Sequence, residues 1–205
     1  MTGAALKVAL ADAPGADLAA TMAERASSVA AQADLLTVDP WDVTELVRHG
    51  GVDAGVVPKH VLDERAPQLF EVLDLGVGRE TLAYATAQPA GERPRVATRH
   101  VRLTQAYFAF ASRQVSVLEM TEAELAVTLG LADAAVLPVT AGATQTPAGL
   151  SVLEPVMESS LRVVVGGASR AVKGEVLRGW LEALRAARDE AAGAFGAQAQ
   201  AEEAS

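Results

Sequence analysis

A run of small and hydroxylated residues, Thr140-Ala-Gly-Ala-Thr144, follows the apolar segment Ala134-Ala-Val-Leu-Pro-Val139. This composition suits phosphate. Gly142 permits close backbone approach, and successive N–H groups in such a turn can form a concave anion nest. Thr140 and Thr144 add hydroxyl donors. A strand that ends in a plain turn has the same pattern, so both readings stand on the residues alone.

Other positions carry weaker signals. Asp53 enters the apolar run Val52–Val57, with Gly55 inside it. A glycine within a strand marks close approach of another group, so Asp53 reads either as a nucleotide contact or as a turn residue ahead of a packing glycine. Gly76-Val-Gly-Arg-Glu80 lacks the third glycine of a dinucleotide fingerprint and reads as a hinge or bulge. Arg79 beside it can still reach a phosphate. Glu124 precedes an apolar stretch and is a candidate nucleotide contact, against the plainer reading of a solvated helix face.

Much chemistry is excluded. There are no cysteines, hence no thiolate nucleophile and no thiolate metal site. His49, His60 and His100 lack zinc-site spacing and read as surface or helix-end residues. Neither a Gly-x-Ser-x-Gly elbow nor a Walker A loop occurs. No pattern singles out a general base, so the catalytic residues are unassigned, and no resident metal site is expected. The formal charge of −9 argues against a nucleic-acid partner. No apolar run is long enough to span a bilayer and no signal peptide is evident, so a cytoplasmic protein is expected.

The elements that position these residues follow from patterning. Half the residues are apolar, enough for a substantial core. Strands are expected at 6–10, 35–38, 52–57, 70–75, 81–86, 95–98, 115–118, 134–139, 152–157 and 161–165, the last two antiparallel at an edge. Helices are expected at 17–28, where Asp17 caps, and at 43–49, capped by Asp42. Others follow at 59–63, 102–111, 121–129 and 171–188, and Thr121 and Glu124 have the spacing of a capping box. Alternating strands and helices give an α/β fold with sheets covered on both faces. The segment Gln88-Pro-Ala-Gly-Glu-Arg-Pro94 reads as a linker between two lobes with a cleft between them. One lobe comprises residues 1–87 and about 161–188, the other 88–160 with the phosphate loop, and 189–205 reads as a frayed tail. No internal repeat is visible.

Several segments together resemble the short-form catalytic subunit of ATP phosphoribosyltransferase. They are Asp42-Val-Thr-Glu-Leu-Val47, Gly51-Val-Asp-Ala-Gly-Val-Val57, Val61-Leu-Asp63, Leu69-Phe-Glu-Val-Leu-Asp-Leu-Gly76 and Arg95-Val-Ala-Thr98. Glu124-Leu-Ala126, Gly130-Leu-Ala-Asp-Ala-Ala-Val136, Gly142-Ala-Thr144 and Ala148-Gly-Leu150 continue the match in order. The resemblance implies two periplasmic-binding-protein-like lobes and condensation of ATP with phosphoribosyl pyrophosphate to phosphoribosyl-ATP and pyrophosphate, the first step of histidine biosynthesis. It implies Mg2+ accompanying the pyrophosphate substrate. It makes Thr140, Ala141, Gly142, Ala143 and Thr144 the phosphoribosyl-binding loop, and it implies a homo-oligomer with a regulatory subunit resembling histidyl-tRNA synthetase. At 205 residues, no C-terminal histidine-sensing domain is expected.

The chain also departs from the family. Its first loop reads Ala11-Asp-Ala-Pro14 in place of Pro-Lys-Gly-Arg. Pro58-Lys-His60 replaces Gly-Lys-Asp, Glu80-Thr-Leu82 replaces Cys-Arg-Leu, and Arg99-His-Val101 replaces Lys-Tyr-Pro. Thr121-Glu-Ala-Glu124 keeps only the final acid of Gly-Ser-Val-Glu. Leu137 and Ala141 stand where the family has Asp and Thr or Ser. The glycines and apolar strands quoted for the resemblance match, while polar cleft positions often do not. The alternative reading is therefore a non-catalytic relative, acting as a binding or regulatory subunit.

Overall fold

The computed structural model describes the backbone of residues 5–65, 68–88 and 91–203, with side chains as far as residue 194. In chain order the first elements are β1 (Leu6–Ala11), α1 (Ala16–Val29), β2 (Ala33–Val38), α2 (Pro40–Arg48), β3 (Ala54–Pro58), α3 (Lys59–Arg65) and β4 (Phe70–Asp74). Next come β5 (Glu80–Thr86), β6 (Arg95–Thr98), α4 (Val101–Phe110), β7 (Ser116–Glu119), α5 (Ala123–Thr128) and β8 (Ala134–Thr140). The last are β9 (Ser151–Ser159), β10 (Leu161–Val165) and α6 (Gly167–Glu203).

The chain forms two compact units. The described parts of 1–58, 67–78 and 160–205 make the first, and those of 59–66 and 79–159 the second. The expected boundary at 87/88 is thus displaced to Gly78/Arg79. The reason is pairing: β5 runs antiparallel to both β8 and β9 over its whole length, so it is the fourth strand of the second sheet. The proline-rich segment 88–94 is a connection inside that unit, and its residues 89–90 lie outside the described ones.

The first sheet has the order β2-β1-β3-β10-β4 and the second β7-β6-β8-β5-β9. In each, three parallel strands are followed by an antiparallel one and then by an edge strand. The units therefore repeat one topology, although no repeat shows in the sequence. The late strands are not an antiparallel pair at one edge: β9 edges the second sheet, while β10 lies inside the first between β3 and β4.

In the first unit, alternate residues Leu6, Val8 and Leu10 of β1 face α1 and α6, where Met22, Leu177, Trp180 and Leu184 complete a core. The other face receives α2. A Cβ on Gly55 would lie 2.5 Å from Val43 Cγ1 and 2.8 Å from Val47 Cγ2, so the glycine exists to admit that helix. Helix α2 starts three residues earlier than expected, because Asp39, not Asp42, is its cap. The Asp39 carboxylate accepts from the Trp41 N–H at 2.9 Å, and Pro40 occupies the first turn, where a missing N–H costs nothing. Helix α1 has no side-chain cap; Asp17 lies within its first turn. Gly78 is not a free hinge: a Cβ there would meet the Pro14 carbonyl oxygen at 2.2 Å, so two backbones cross at this point. Helix α6 begins at Gly167, bends at Lys173, and continues as helical backbone through Glu203, across most of the expected tail. Residues 204–205 lie outside the described ones.

In the second unit, Leu82, Tyr84, Val96, Phe108 and Val136 form a core on the α4 side. Small residues, Ala85, Ala97, Ala123, Ala126 and Ala135, form a thinner one beneath α5. The capping box does not form. Helix α5 begins at Ala123 with Glu122 at its cap position and no side-chain cap bond, which leaves the Glu124 carboxylate available elsewhere.

Candidate functional site

Strands β6, β7 and β8 are parallel, and the loop Thr140–Thr144 leaves the carboxyl end of β8, where open α/β sheets bind ligands. Its geometry is that of a tight turn. The Ala143 N–H donates to the Thr140 carbonyl at 2.9 Å, and Gly142 between them has φ +81°. A side chain at 142 has open space but meets an unfavourable backbone, so conformation selects this glycine. Thr140, Ala141, Gly142 and Thr144 are exposed and Ala143 is half-buried. Among the described residues, nothing accepts from the Ala141 and Gly142 amides.

The chain beyond the turn is pinned. Val152 N–H donates to the Thr144 carbonyl at 2.9 Å. The buried Thr146 closes a second turn through Thr146 N–H to Leu150 O and Leu150 N–H to Thr146 Oγ1. Glu124 accepts from the Ala148 N–H at 3.2 Å. This acid, expected to contact nucleotide, holds the loop's trailing segment from the first turn of α5.

Asp53 departs further from expectation. It stands just before β3, at the amino end of a strand parallel to β1 and therefore away from the ligand-binding end of its sheet. Its carboxylate accepts from the Lys7 N–H at 2.9 Å and from Lys173 Nζ at 2.8 Å. Burial alone would raise its pKa. The bonds from Lys173 and Lys7, the Lys173 charge and the Ser169 hydroxyl outweigh burial and hold the carboxyl below its usual range. Asp53 joins β1, β3 and the bend of α6 within its own unit.

Arg79 is exposed and immediately precedes Glu80, the residue that pairs with Thr140 across β5 and β8. Glu80 is the residue that sequence reasoning missed. It is only 8% exposed, it lies between Thr140 on one side and Ser159 on the other, and no hydrogen bond to its carboxyl occurs among the described residues. Burial pushes its pKa up to about 7. The signal available in the sequence was an acid at the head of the apolar strand 80–86.

Two histidines complete this end of the sheet. His60, in the first turn of α3, and His100, at the cap of α4, are at helix ends, one of the two positions expected, but they are buried, with ring centroids 4.9 Å apart in an edge-on contact. The Ser159 hydroxyl accepts from the His60 N–H at 3.2 Å and lies 3.0 Å from His60 Nδ1. Burial lowers the pKa of His60 to about 4 and, with the neighbouring His60 and Arg99, that of His100 to about 3. Both rings are neutral at pH 7. His49 is exposed at the end of α2, as expected.

A model of the family described as "HisG: ATP phosphoribosyltransferase" matches residues 39–186. An ATP phosphoribosyltransferase of Anaeromyxobacter dehalogenans is 37% identical over 162 residues, covering 76% of this chain and 73% of the relative. The chain belongs to the ATP phosphoribosyltransferase family. A second member, from Halorhodospira halophila, is 41% identical over 140 residues, 66% of this chain and 65% of that one. Among solved structures, the ATP phosphoribosyl transferase (HisG:HisZ) complex from Thermotoga maritima superposes with a TM-score of 0.76 at 22% identity, covering 90% of this chain and 99% of the other. The alkanesulfonate-binding protein SsuA from Xanthomonas axonopodis pv. citri gives 0.63 at 15% identity, covering 99% and 81%. Both similarities describe the fold, the two-unit α/β architecture of periplasmic binding proteins.

For an ATP phosphoribosyltransferase, this chain's changed positions now have surroundings. Leu137 packs half-buried against the small-residue core beneath α5. Ala141 is exposed in the turn. Glu80 and His60 both lie in the buried polar cluster at the loop's root.

Proposed function

We propose that this chain is an active ATP phosphoribosyltransferase that binds the phosphoribosyl group of phosphoribosyl pyrophosphate in the Thr140–Thr144 loop and joins it to ATP, releasing pyrophosphate. The observation that carries the reading is the Gly142 turn at the carboxyl end of β8, with the Ala141 and Gly142 amides open and family membership spanning residues 39–186. The loop's part is positional. Backbone donors and the hydroxyls of Thr140 and Thr144 would fix the phosphate, so that the sugar's reacting carbon meets the adenine in line; such positioning and fixed donors supply most of the rate in a displacement of this kind. Glu124 would support the loop from behind. Arg79 is a further candidate contact to a phosphate.

Mg2+ would arrive on the pyrophosphate of the substrate. Among the described residues, no cluster of three His, Asp or Glu side chains is arranged to hold a metal. No helix among them is long and apolar enough to cross a membrane. The location we propose for the enzyme is cytoplasmic. The Thermotoga maritima complex pairs its HisG with HisZ, and a homo-oligomer associated with a HisZ-like regulatory subunit is the assembly we propose here.

A second reading, a non-catalytic binding or regulatory subunit, is favoured by Leu137, an apolar side chain committed to packing where the family has an acid. Turnover separates the two. The full chain is assayed for phosphoribosyl-ATP with ATP, phosphoribosyl pyrophosphate and Mg2+, alone and with a regulatory partner. Product formation is expected, and Gly142→Val should reduce it about a hundredfold, because misplacing a bound substrate by an ångström has that cost. No product in either condition, with phosphoribosyl pyrophosphate still bound, would establish the second reading.

A further inference from the structure

The unpartnered acid at the root of the loop has a consequence for ligand binding. Residues directly opposite in an antiparallel pair project to the same side, with Cβ atoms roughly 4.5–5.5 Å apart. Glu80 is opposite Thr140 on β8 and opposite Ser159 on β9, so its side chain shares a face with the first residue of the loop. A buried carboxyl without a hydrogen bond is costly, and proteins relieve that cost by protonation or by a ligand.

We infer that Glu80 makes this loop a proton-linked anion site: its carboxyl is protonated when a phosphate occupies the loop and donates a hydrogen bond to it, and its ionised form opposes binding. The inference rests on the Thr140–Thr144 loop being the phosphate site. The chemistry follows from charge. Glu80 shares a face with Thr140, the first residue of the loop, so an anion held there and an ionised Glu80 carboxyl would repel each other, and that repulsion favours the protonated acid. The neutral acid removes the repulsion and adds an O–H donor. Burial already brings the group to about 7, so a bound anion needs only to pull it further in the same direction. A loop that accepted a cation or only hydroxyl groups would have the opposite linkage and release the proton.

The surrounding groups do not titrate over the relevant range. On β8 the facing residue is Thr140, and on β9 it is Ser159. Glu158 points to the other face, where Thr81 Oγ1 donates to it at 3.1 Å. On α3, His60 titrates near 4 and Lys59 is paired with Asp63 at 2.8 Å. After β6, burial lowers the pKa of His100 to about 3, with His60 and Arg99 beside it, and Arg79 precedes β5.

Sulfate is the probe, because it mimics phosphate and keeps one charge state across the range. The full chain is titrated with sulfate by calorimetry from pH 5.5 to 8.5, alongside Glu80→Gln and Thr144→Ala. The affinity of the unmodified chain should fall about thirtyfold between pH 6.0 and 8.5, the loss expected when only the protonated form of a group with a pKa of about 7 binds. Glu80→Gln, which keeps a neutral donor, should bind with flat pH dependence at the unmodified chain's acid-limit affinity. A flat profile in the unmodified chain, a rise with pH, or an unchanged slope in Glu80→Gln would overturn the proposal, as would no sulfate binding at pH 5.5. If Thr144→Ala weakens sulfate while the profile is flat, the proton linkage fails and the loop assignment stands. If Thr144→Ala leaves sulfate binding untouched, the loop assignment fails and takes the linkage with it.

Discussion

Two buried acids, one in each unit, have opposite circumstances. Asp53 and Glu80 are both 8% exposed, and each stands at one end of a buried strand. Asp53 accepts from the backbone of Lys7 and the ammonium of Lys173, and its pKa lies below the usual range. Glu80 accepts nothing among the described residues, and its pKa rises to about 7. Burial raises both; only Asp53 has partners that reverse it. The contrast separates an acid that maintains the fold from one whose partner comes from outside. It also follows the sheets: Asp53 precedes the amino end of β3, whereas Glu80 adjoins the carboxyl end of β8, where the Thr140–Thr144 loop begins.

The strongest way to break the contrast is to neutralise Glu80. Its raised pKa means that the folded chain binds the proton more tightly than the unfolded chain. The penalty is therefore absent below about 4.5 and complete above about 7. Glu80→Gln should stabilise the second unit by about 3 kcal/mol at pH 8 and by almost nothing at pH 4.5, read from native-state hydrogen exchange of β5 and β8 amides. Equal effects at both pH values would mean that the carboxyl is not the cause.

Asp53→Ala should do the reverse. It strands the Lys7 amide and the Lys173 ammonium, at a cost of about 2–3 kcal/mol in urea unfolding followed through Trp180. Because the folded pKa is lowered, this contribution is present above the unfolded value near 4 and is lost as pH falls through the folded one, so the loss should be constant from pH 5.5 to 8.5.

The smallest effect concerns the histidines. A lowered pKa makes protonation oppose folding, so stability falls as pH drops from 6.5 toward 4. His60→Asn, which keeps a polar atom near Ser159, should reduce that acid slope by one proton, about 1.4 kcal/mol per pH unit. Glu80 slopes the other way over the same interval, so the double variant with Glu80→Gln isolates the histidine contribution.

Local features of this molecule were legible in the sequence and pairing was not. The apolar runs at Arg95–Thr98 and Leu161–Val165 gave strands with the observed bounds, because short runs between turn residues leave little alternative. The loop at Thr140–Thr144 was legible from its glycine and hydroxyls. The unit boundary was not. Proline and glycine mark 88–94, yet the chain changes unit at Gly78/Arg79 and Ser159/Ser160, and only the partners of β5 and β10 decide that. The cap of α2 was misplaced because Asp39 and Asp42 both fit the local pattern, and Pro40 selects the first. Glu80 stayed hidden because its burial depends on β8 and β9, distant in sequence, and a lone acid at the start of a strand is ordinarily solvated.

Titrating the full chain with phosphoribosyl pyrophosphate by calorimetry, in parallel with Thr144→Ala and Asp53→Ala at a temperature where all three are folded, tests the central claim most directly. The site described here predicts binding to the unmodified chain, at least about tenfold weaker binding to Thr144→Ala for the loss of a hydrogen bond to a charged group, and an unchanged affinity in Asp53→Ala. Equal affinity in Thr144→Ala and the unmodified chain, or a loss in Asp53→Ala as large as that in Thr144→Ala, would contradict it.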